Sequence, residues 1–305
     1  MHLVGGGQAK TNKPTREGDE QMIIDMHVHP IFQEIVPGLS AIPEGLRMLQ
    51  NLEKTSENYF YRSLKILSLA EFQQEMSDAK IDRVALLISA IKDIPVRQTN
   101  ERVSALLRML PEKFIGFAAF DPRKGEEAVA DIEYAINELG FKGLKTVSSQ
   151  QELDINDKAF YPCYAKAQDL GVPITIHTGA SSLIMGCRVK HVQPLMVDDV
   201  AFDFPDLKII CAHMGGHQYM DVHSMLVRHR NVYADLCFWP LNPHYRDMIP
   251  WRLLDDTVRD KILLGSDYPC GQILKEAVEA VQNLPISDDF KVKILGKNAA
   301  RLLAL

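Results

Sequence analysis

Two histidines one residue apart, His27 and His29 in Asp25-Met26-His27-Val28-His29, are the densest chemistry in the sequence. On a strand, side chains alternate between faces, so His27 and His29 point the same way while Met26 and Val28 turn to the other side. Two imidazoles on one face can share a divalent ion. Asp25 sits one layer deeper, either orienting a ligand histidine or closing a structural hydrogen bond. Three further groups end apolar runs: His177 in PITIHTG, His213 in IICAHMGG and Asp267 in LLGSDYP. A buried polar group left unpaired costs a few kcal/mol. Four histidines and an aspartate, each closing an apolar run, are therefore better explained as one site than as core packing.

Other groups admit more than one role. Lys145 closes the run in GLKTV. It can carry a carboxylate and bridge two metals, meet a substrate anion or Asp25, or lie in solvent. His217 follows His213 by four, the spacing of a helical zinc pair, but Gly215 and Gly216 between them indicate a tight loop. His217 is then a substrate contact or an exposed loop residue. Arg47, Arg62 and Arg188 are candidates to meet a substrate carboxylate, with a surface arginine as the alternative for each. Trp239, Tyr268 and Phe32 would wall an aromatic or unsaturated substrate, or simply pack. His2, His191, His223, His229 and His244 read as surface or locally hydrogen-bonded residues.

Eight short apolar runs carry these groups: 22–28, 83–88, 114–120, 141–146, 172–177, 207–213, 231–236 and 261–266. Each is apolar enough to be covered on both faces, as a parallel sheet requires. Helices are expected between them: 69–79 capped by Ser68, 96–110 opened by Pro95, 126–139 stopped at Gly140 and 159–170 stopped at Gly171. Further helices fit 192–203, 219–229, 251–258 and 272–284. The tail 288–305 reads as a helix broken near Gly296, with Asn298 capping a last turn. Eight strand–helix units without repeat or linker predict an α/β fold, a single (β/α)8 TIM barrel over 22–305. Catalytic groups of such barrels come from the C-terminal ends of several strands, where all these motifs fall. The stretch from Pro30 to Leu67 is an insertion after strand 1, too long for an ordinary loop, and suits a lid or cap.

The bulk properties fit that picture. The chain has 305 residues, 46% of them apolar, enough for one large barrel. A net charge of −6 lacks the basic footprint of a nucleic-acid binder. No apolar run reaches the ~20 residues of a membrane helix. Residues 1–21 read as a flexible tail without the apolar core of a secretory signal. The five widely spaced cysteines include no CxxC pair, which favours a cytoplasmic setting with free thiols.

The order of HxH, strand-four lysine, strand-five and strand-six histidines and strand-eight aspartate resembles the amidohydrolase superfamily. The phrases AHMGG, GSDYP and GKNAARLL are similar to its amidohydrolase-related branch, which includes aminocarboxymuconate-semialdehyde and resorcylate decarboxylases. The resemblance spans residues 22–305. It implies one divalent ion, often zinc and in the decarboxylases also manganese, held by His27, His29, His177 and Asp267. It implies His213 as the acid/base, a small-molecule substrate and a homodimer. Fold-level likeness does not choose the reaction. The reading slightly preferred from sequence is hydrolysis of a small cyclic, amide or ester substrate through metal-activated water, with Asp267 taking a proton. The first alternative is non-oxidative decarboxylation of an unsaturated or aromatic acid. The second is a metal-free lactonase or a non-catalytic binding protein.

Overall fold

A computed structural model describes residues 22–35, 66–90, 94–179, 188–237, 243–271 and 273–305, without the side chains of 243 and 244. The tail 1–21, the insertion from 36 to 65 with Arg47 and Arg62, and Trp239 lie outside the described residues.

Eight strands run in sequence order around one parallel sheet. They are β1 Ile24–Val28, β2 Arg83–Leu87, β3 Phe114–Ala119, β4 Gly143–Thr146, β5 Ile174–His177, β6 Ile209–Ala212, β7 Val232–Asp235 and β8 Ile262–Leu263. Each expected run contains one of them. The sheet is closed by backbone bonds between β1 and the segment leaving β8. Met26 N donates to Leu264 O at 2.8 Å, Asp267 N to His27 O at 2.8 Å and His29 N to Tyr268 O at 2.7 Å. This seam carries function, because the HxH pair and Asp267 are stitched together by main chain before any side chain acts.

The helices follow local signals. Ser68 and Glu71 form a reciprocal capping box on α1, Leu69–Asp78. Pro95 precedes α2, Val96–Met109, and Gly140 and Gly171 adopt φ of 81° and 67° after α3, Glu126–Asn137, and α4, Tyr161–Asp169. The helix expected over 192–203 begins later, as α5 at Met196–Asp203. Pro194 disfavours helical backbone at Gln193, which is extended (φ −67°, ψ 123°), so the preceding residues form a separate short turn, Val189–Val192. Helices α6 Tyr219–Arg228, α7 Trp251–Val258 and α8 Leu274–Gln282 complete the ring.

The tail departs from expectation. It is not broken at Gly296; α9 Asp288–Val292 widens into a π turn, Lys293–Lys297, and continues as α10 Asn298–Leu303. Gly296 is required because a Cβ there would strike the Met22 carbonyl. Asn298 is no cap: it is helical itself, and its amide donates to the Arg259 and Ile262 carbonyls at 2.8 Å each. Packing has two clusters. The larger lies between strands and helices, from Val84, Leu86 and Ile176 to Phe72, Val222 and Leu254. The smaller joins Leu87, Ile115, Phe117, Ile210 and Leu263 of the strands and reaches Ala299 and Leu302 of the tail.

Candidate active site

The strands deliver their functional side chains to one end of the barrel. His27 lies on β1, Lys145 on β4, His177 at the last position of β5, His213 one residue past β6, Asp235 at the end of β7, and Asp267 beyond β8. His213, Met214 and Asp267 have φ of 58°, 45° and 59°, a conformation non-glycine residues seldom adopt and which clusters at functional sites. Gly215 and Gly216 also have positive φ and make the tight loop their sequence indicated. Gly179 packs so closely that a Cβ there would strike the Gly215 carbonyl, which draws the loops after His177 and His213 together.

The hydrogen-bond partners fix the direction of the imidazoles. His27 Nδ1 lies 2.9 Å from Asp235 Oδ2, and His29 Nδ1 lies 3.2 Å from the Leu87 carbonyl. Carbonyls and ionised carboxylates only accept, so both rings carry their proton on Nδ1. Their Nε2 lone pairs then face one oxygen, Asp267 Oδ1, at 3.4 and 3.1 Å. Lone pairs against a carboxylate call for a cation between them. Burial pushes His27 down to about 4, aided by Lys145, so its ring does not supply the extra proton near neutral pH. Burial would raise Asp267, but His213, His29 and His27 outweigh it and hold the carboxyl below the usual range. A buried carboxylate with two imidazole nitrogens is a donor set that fits a divalent ion, and one donor atom from each of the three residues lies within 4.8 Å of the others.

The other expected groups stand around this triad. His177 Nδ1 lies 3.1 Å from His213 Nε2, so these two histidines pair with each other, and His213 Nδ1 is 3.9 Å from Asp267 Oδ2. Burial lowers the pKa of both; His213 adds to the effect at His177, and at His213 burial outweighs the upward pull of Asp267 and Asp235. Among the described residues His177 belongs to neither group of metal-capable donors. Lys145 is 1% exposed, which rules out a solvated lysine, and its Nζ lies 3.5 Å from His27 Nε2. Burial pushes its pKa down against the pull of Asp235, Cys237 and Asp267. Asp25 closes structural hydrogen bonds: its Oδ1 accepts from His27 N at 3.0 Å and Ser266 N at 3.1 Å, across the β1–β8 seam. Burial pushes its pKa up to about 7.

The residues expected to touch substrate are more dispersed. Arg188 and His217 are exposed, the latter with its ring 5.9 Å from Tyr245. Tyr268 is buried with its ring 5.1 Å from Phe72, and Phe32 packs 4.9 Å from the same ring. Both aromatics pack behind β1, and Tyr268 serves the site through its carbonyl, which holds His29 N. His191 and His229 are locally bonded as expected, each 2.6 Å from an aspartate, Asp154 and Asp198.

Two functional residues escaped the sequence reading. Asp235 and Cys237, both fully buried, stand beside His27 and His213. Their signal was present: in VYADLC they occupy alternate positions, the same period that singled out His27 and His29. Cys237 also groups with His27 and His213 as metal-capable donors. Its sulfur lies 3.3 Å from His27 Nδ1 and 2.9 Å from His213 Nδ1, but the His27 nitrogen already donates to Asp235. Burial and Asp235 push the thiol well above its ordinary value, so Cys237 keeps its proton and joins the two rings as a hydrogen-bonding partner.

A closed parallel barrel with a histidine–carboxylate centre at the C-terminal ends of its strands defines a metal-dependent TIM-barrel enzyme class. The amidohydrolase family model matches residues 24–305, and the chain belongs to that family. It is similar to a 2-amino-3-carboxymuconate-6-semialdehyde decarboxylase of Dictyostelium discoideum, 23% identical over 239 residues, 68% of this chain and 65% of that protein. The chain thus spans slightly under two thirds of that relative. A gamma-resorcylate decarboxylase of a Rhizobium species is 23% identical over 296 residues, covering 79% of this chain and 89% of the other. Among solved structures, a 5-carboxyvanillate decarboxylase of Novosphingobium aromaticivorans, complexed with manganese and a nitrobenzoic acid, superposes with a TM-score of 0.70. It is 18% identical and the match covers 94% of this chain and 98% of the other, a likeness of fold. No helix among the described residues is long and apolar enough to cross a membrane.

Proposed function

We propose that the protein is a metal-dependent, non-oxidative decarboxylase of an aromatic or unsaturated carboxylic acid. The observation that carries this reading is the cation-demanding triad His27, His29 and Asp267 in a chain whose relatives in sequence are mostly named as decarboxylases, with one hydratase among them. The hydrolase preferred from sequence loses ground for the same reason: the HxH pair serves either reaction, and the named relatives tip the choice. Zinc likewise gives way to manganese as the first ion to test, because the carboxyvanillate decarboxylase carries manganese, and imidazole with carboxylate suits either.

A divalent ion held by His27, His29 and Asp267 would supply Lewis-acid chemistry, polarising a substrate oxygen beside the carboxylate to be lost. The remaining work falls to the side chains. The carbon–carboxylate bond breaks with its electron pair left on carbon, carbon dioxide departs, and one proton is delivered to that carbon. His213 is assigned the proton transfer in this reading, supported by its position next to Asp267 and its pairing with His177. Its depressed pKa suits a ring that takes a proton only transiently. Lys145, buried beside His27, adds positive charge where the substrate anion must settle. Substrate binding and a homodimer are proposed on likeness alone.

The test is carbon dioxide release from a panel of hydroxybenzoic, carboxyvanillic and unsaturated dicarboxylic acids, run with manganese and with zinc, alongside lactone and amide hydrolysis. Decarboxylation of at least one acid, abolished by chelation, is expected. Hydrolysis with no carbon dioxide from any acid would return the reading to a hydrolase.

A further inference from the structure

One carboxylate and one thiol at the end of β7 bracket two of the site histidines. Asp235 Oδ2 accepts from His27 Nδ1 at 2.9 Å, and Asp235 Oδ1 accepts from the backbone N–H of His213 at 2.7 Å. Cys237 Sγ lies 2.8 Å from the same Oδ1 and 2.9 Å from His213 Nδ1. A thiol has one proton to give. It can go to the carboxylate, leaving the sulfur lone pair for His213 Nδ1–H, or to His213, leaving the imidazole as acceptor. An ionised carboxylate is much the stronger acceptor. Asp235 already accepts from His27 Nδ1 on one oxygen and from the His213 backbone N–H on the other, the donor surroundings of an ionised carboxylate. The proton therefore belongs between sulfur and Asp235, and the sulfur accepts from His213.

We propose that Asp235 and Cys237 form a tautomer bracket, Asp235 acting directly on His27 and Cys237 acting as acceptor for His213, so that both rings present Nε2 lone pairs. The consequence extends one ring further. An Nε2 lone pair on His213 must receive a proton from His177 Nδ1, 3.1 Å away, which leaves His177 Nε2 as a lone pair too. A single β7 carboxylate thus presets three imidazoles: His27 directly, His213 through a sulfur atom, and His177 through His213. Cys237 is a positioning residue in this scheme. It acts through His213, and its relevance to turnover rests on the decarboxylase reading.

The tautomers can be read without that reading and without an ion. In metal-free protein labelled with 15N at histidine, long-range proton–nitrogen spectra distinguish Nδ1–H from Nε2–H, and the His213→Asn spectrum identifies the His213 signals. The expected result is Nδ1–H at His213 in the wild type and in Cys237→Ser, whose hydroxyl can donate to Asp235 and accept from His213. In Cys237→Ala that preference is lost. In the ion-loaded enzyme Cys237→Ala should lower kcat about ten-fold with KM and ion content nearly unchanged, the scale of an outer partner of a metal-site residue, and Cys237→Ser should restore most of it. Nε2–H at His213 in the wild type, or Nδ1–H persisting in Cys237→Ala, would overturn the bracket. An altered tautomer with unchanged kcat would overturn the positioning role. If no acid is turned over by the wild type, the decarboxylase reading has failed, and the spectra still decide the bracket.

Discussion

At the scale of single residues, the site divides its histidines by what their second nitrogen touches. His27 and His29 spend Nδ1 on a carboxylate and a carbonyl and aim Nε2 at Asp267, the arrangement of ligands. His213 is engaged at both nitrogens, by Cys237 and His177, the arrangement of a proton carrier held in place. His213→Asn should accordingly lower kcat by about 10²–10⁴-fold, the usual contribution of an acid–base group, while the ion stays bound. His177→Asn separates two accounts of its ring. Expected from sequence as a ligand, it stands outside the triad, and metal retention in this variant measures how far its Nε2 contributes. Metal content and turnover on both variants decide the assignment. Loss of the ion from His213→Asn with retention in His177→Asn would show the roles reversed. The sequence made His27, His29 and Asp267 legible because alternation and strand ends are local patterns. Asp235 and Cys237 followed the same pattern, but an aspartate and a cysteine in an apolar run have many bland explanations, and their meaning depends on β7 lying beside β6.

At the scale of elements, the barrel positions its site by pinning helices to strand ends with buried amides. Asn100 on α2 donates to the Ala119 carbonyl and accepts from the Ala119 N–H, both at 3.0 Å, at the C-terminal end of β3. Asn298 does related work at the opposite end, clasping Arg259 and Ile262. Asn100→Ala removes both partners of a buried peptide and should cost about 1–3 kcal/mol for each group left unsatisfied, seen as a lower denaturant midpoint with an unchanged slope. Asn100→Leu should be no better, since neither side chain can satisfy the peptide, and a variant as stable as the wild type would show that Ala119 finds other partners. These clasps also explain which elements could be read from sequence. Helices with local stop signals, Gly140 and Gly171, fell where expected. Asn298 looked like a cap because its helical neighbours are visible in sequence, whereas the carbonyls it serves are about 40 positions away. Gly296 looked like a break for the same reason: the Met22 carbonyl that demands a glycine is remote in sequence.

At the scale of the whole molecule, the closure of the barrel and the assembly of the site are the same event. Main-chain bonds from Asp267 N to His27 O and from His29 N to Tyr268 O seal β1 to the exit of β8, and the side chains of His27, His29 and Asp267 converge on one point. A cation held there by His27, His29 and Asp267 would tie the first strand to the last, so its binding should register as stability of the entire fold. An ion that binds only the folded chain stabilises it by about 2.7 kcal/mol at a hundred times its dissociation constant, a rise of roughly 5 °C or more in Tm for a large domain. Protein prepared without chelators should hold one divalent ion per chain, and chelation should lower Tm by that amount while leaving a single cooperative transition, because the layered apolar core holds the barrel. His27→Ala with His29→Ala should reproduce the chelated Tm and show no further response to chelator or added manganese. Two ions per chain would assign Lys145, buried 3.5 Å from His27 Nε2, to a bridge between them. A double variant that does not fold would mean that the pair, with its Asp235 and Leu87 partners, carries the barrel seam itself.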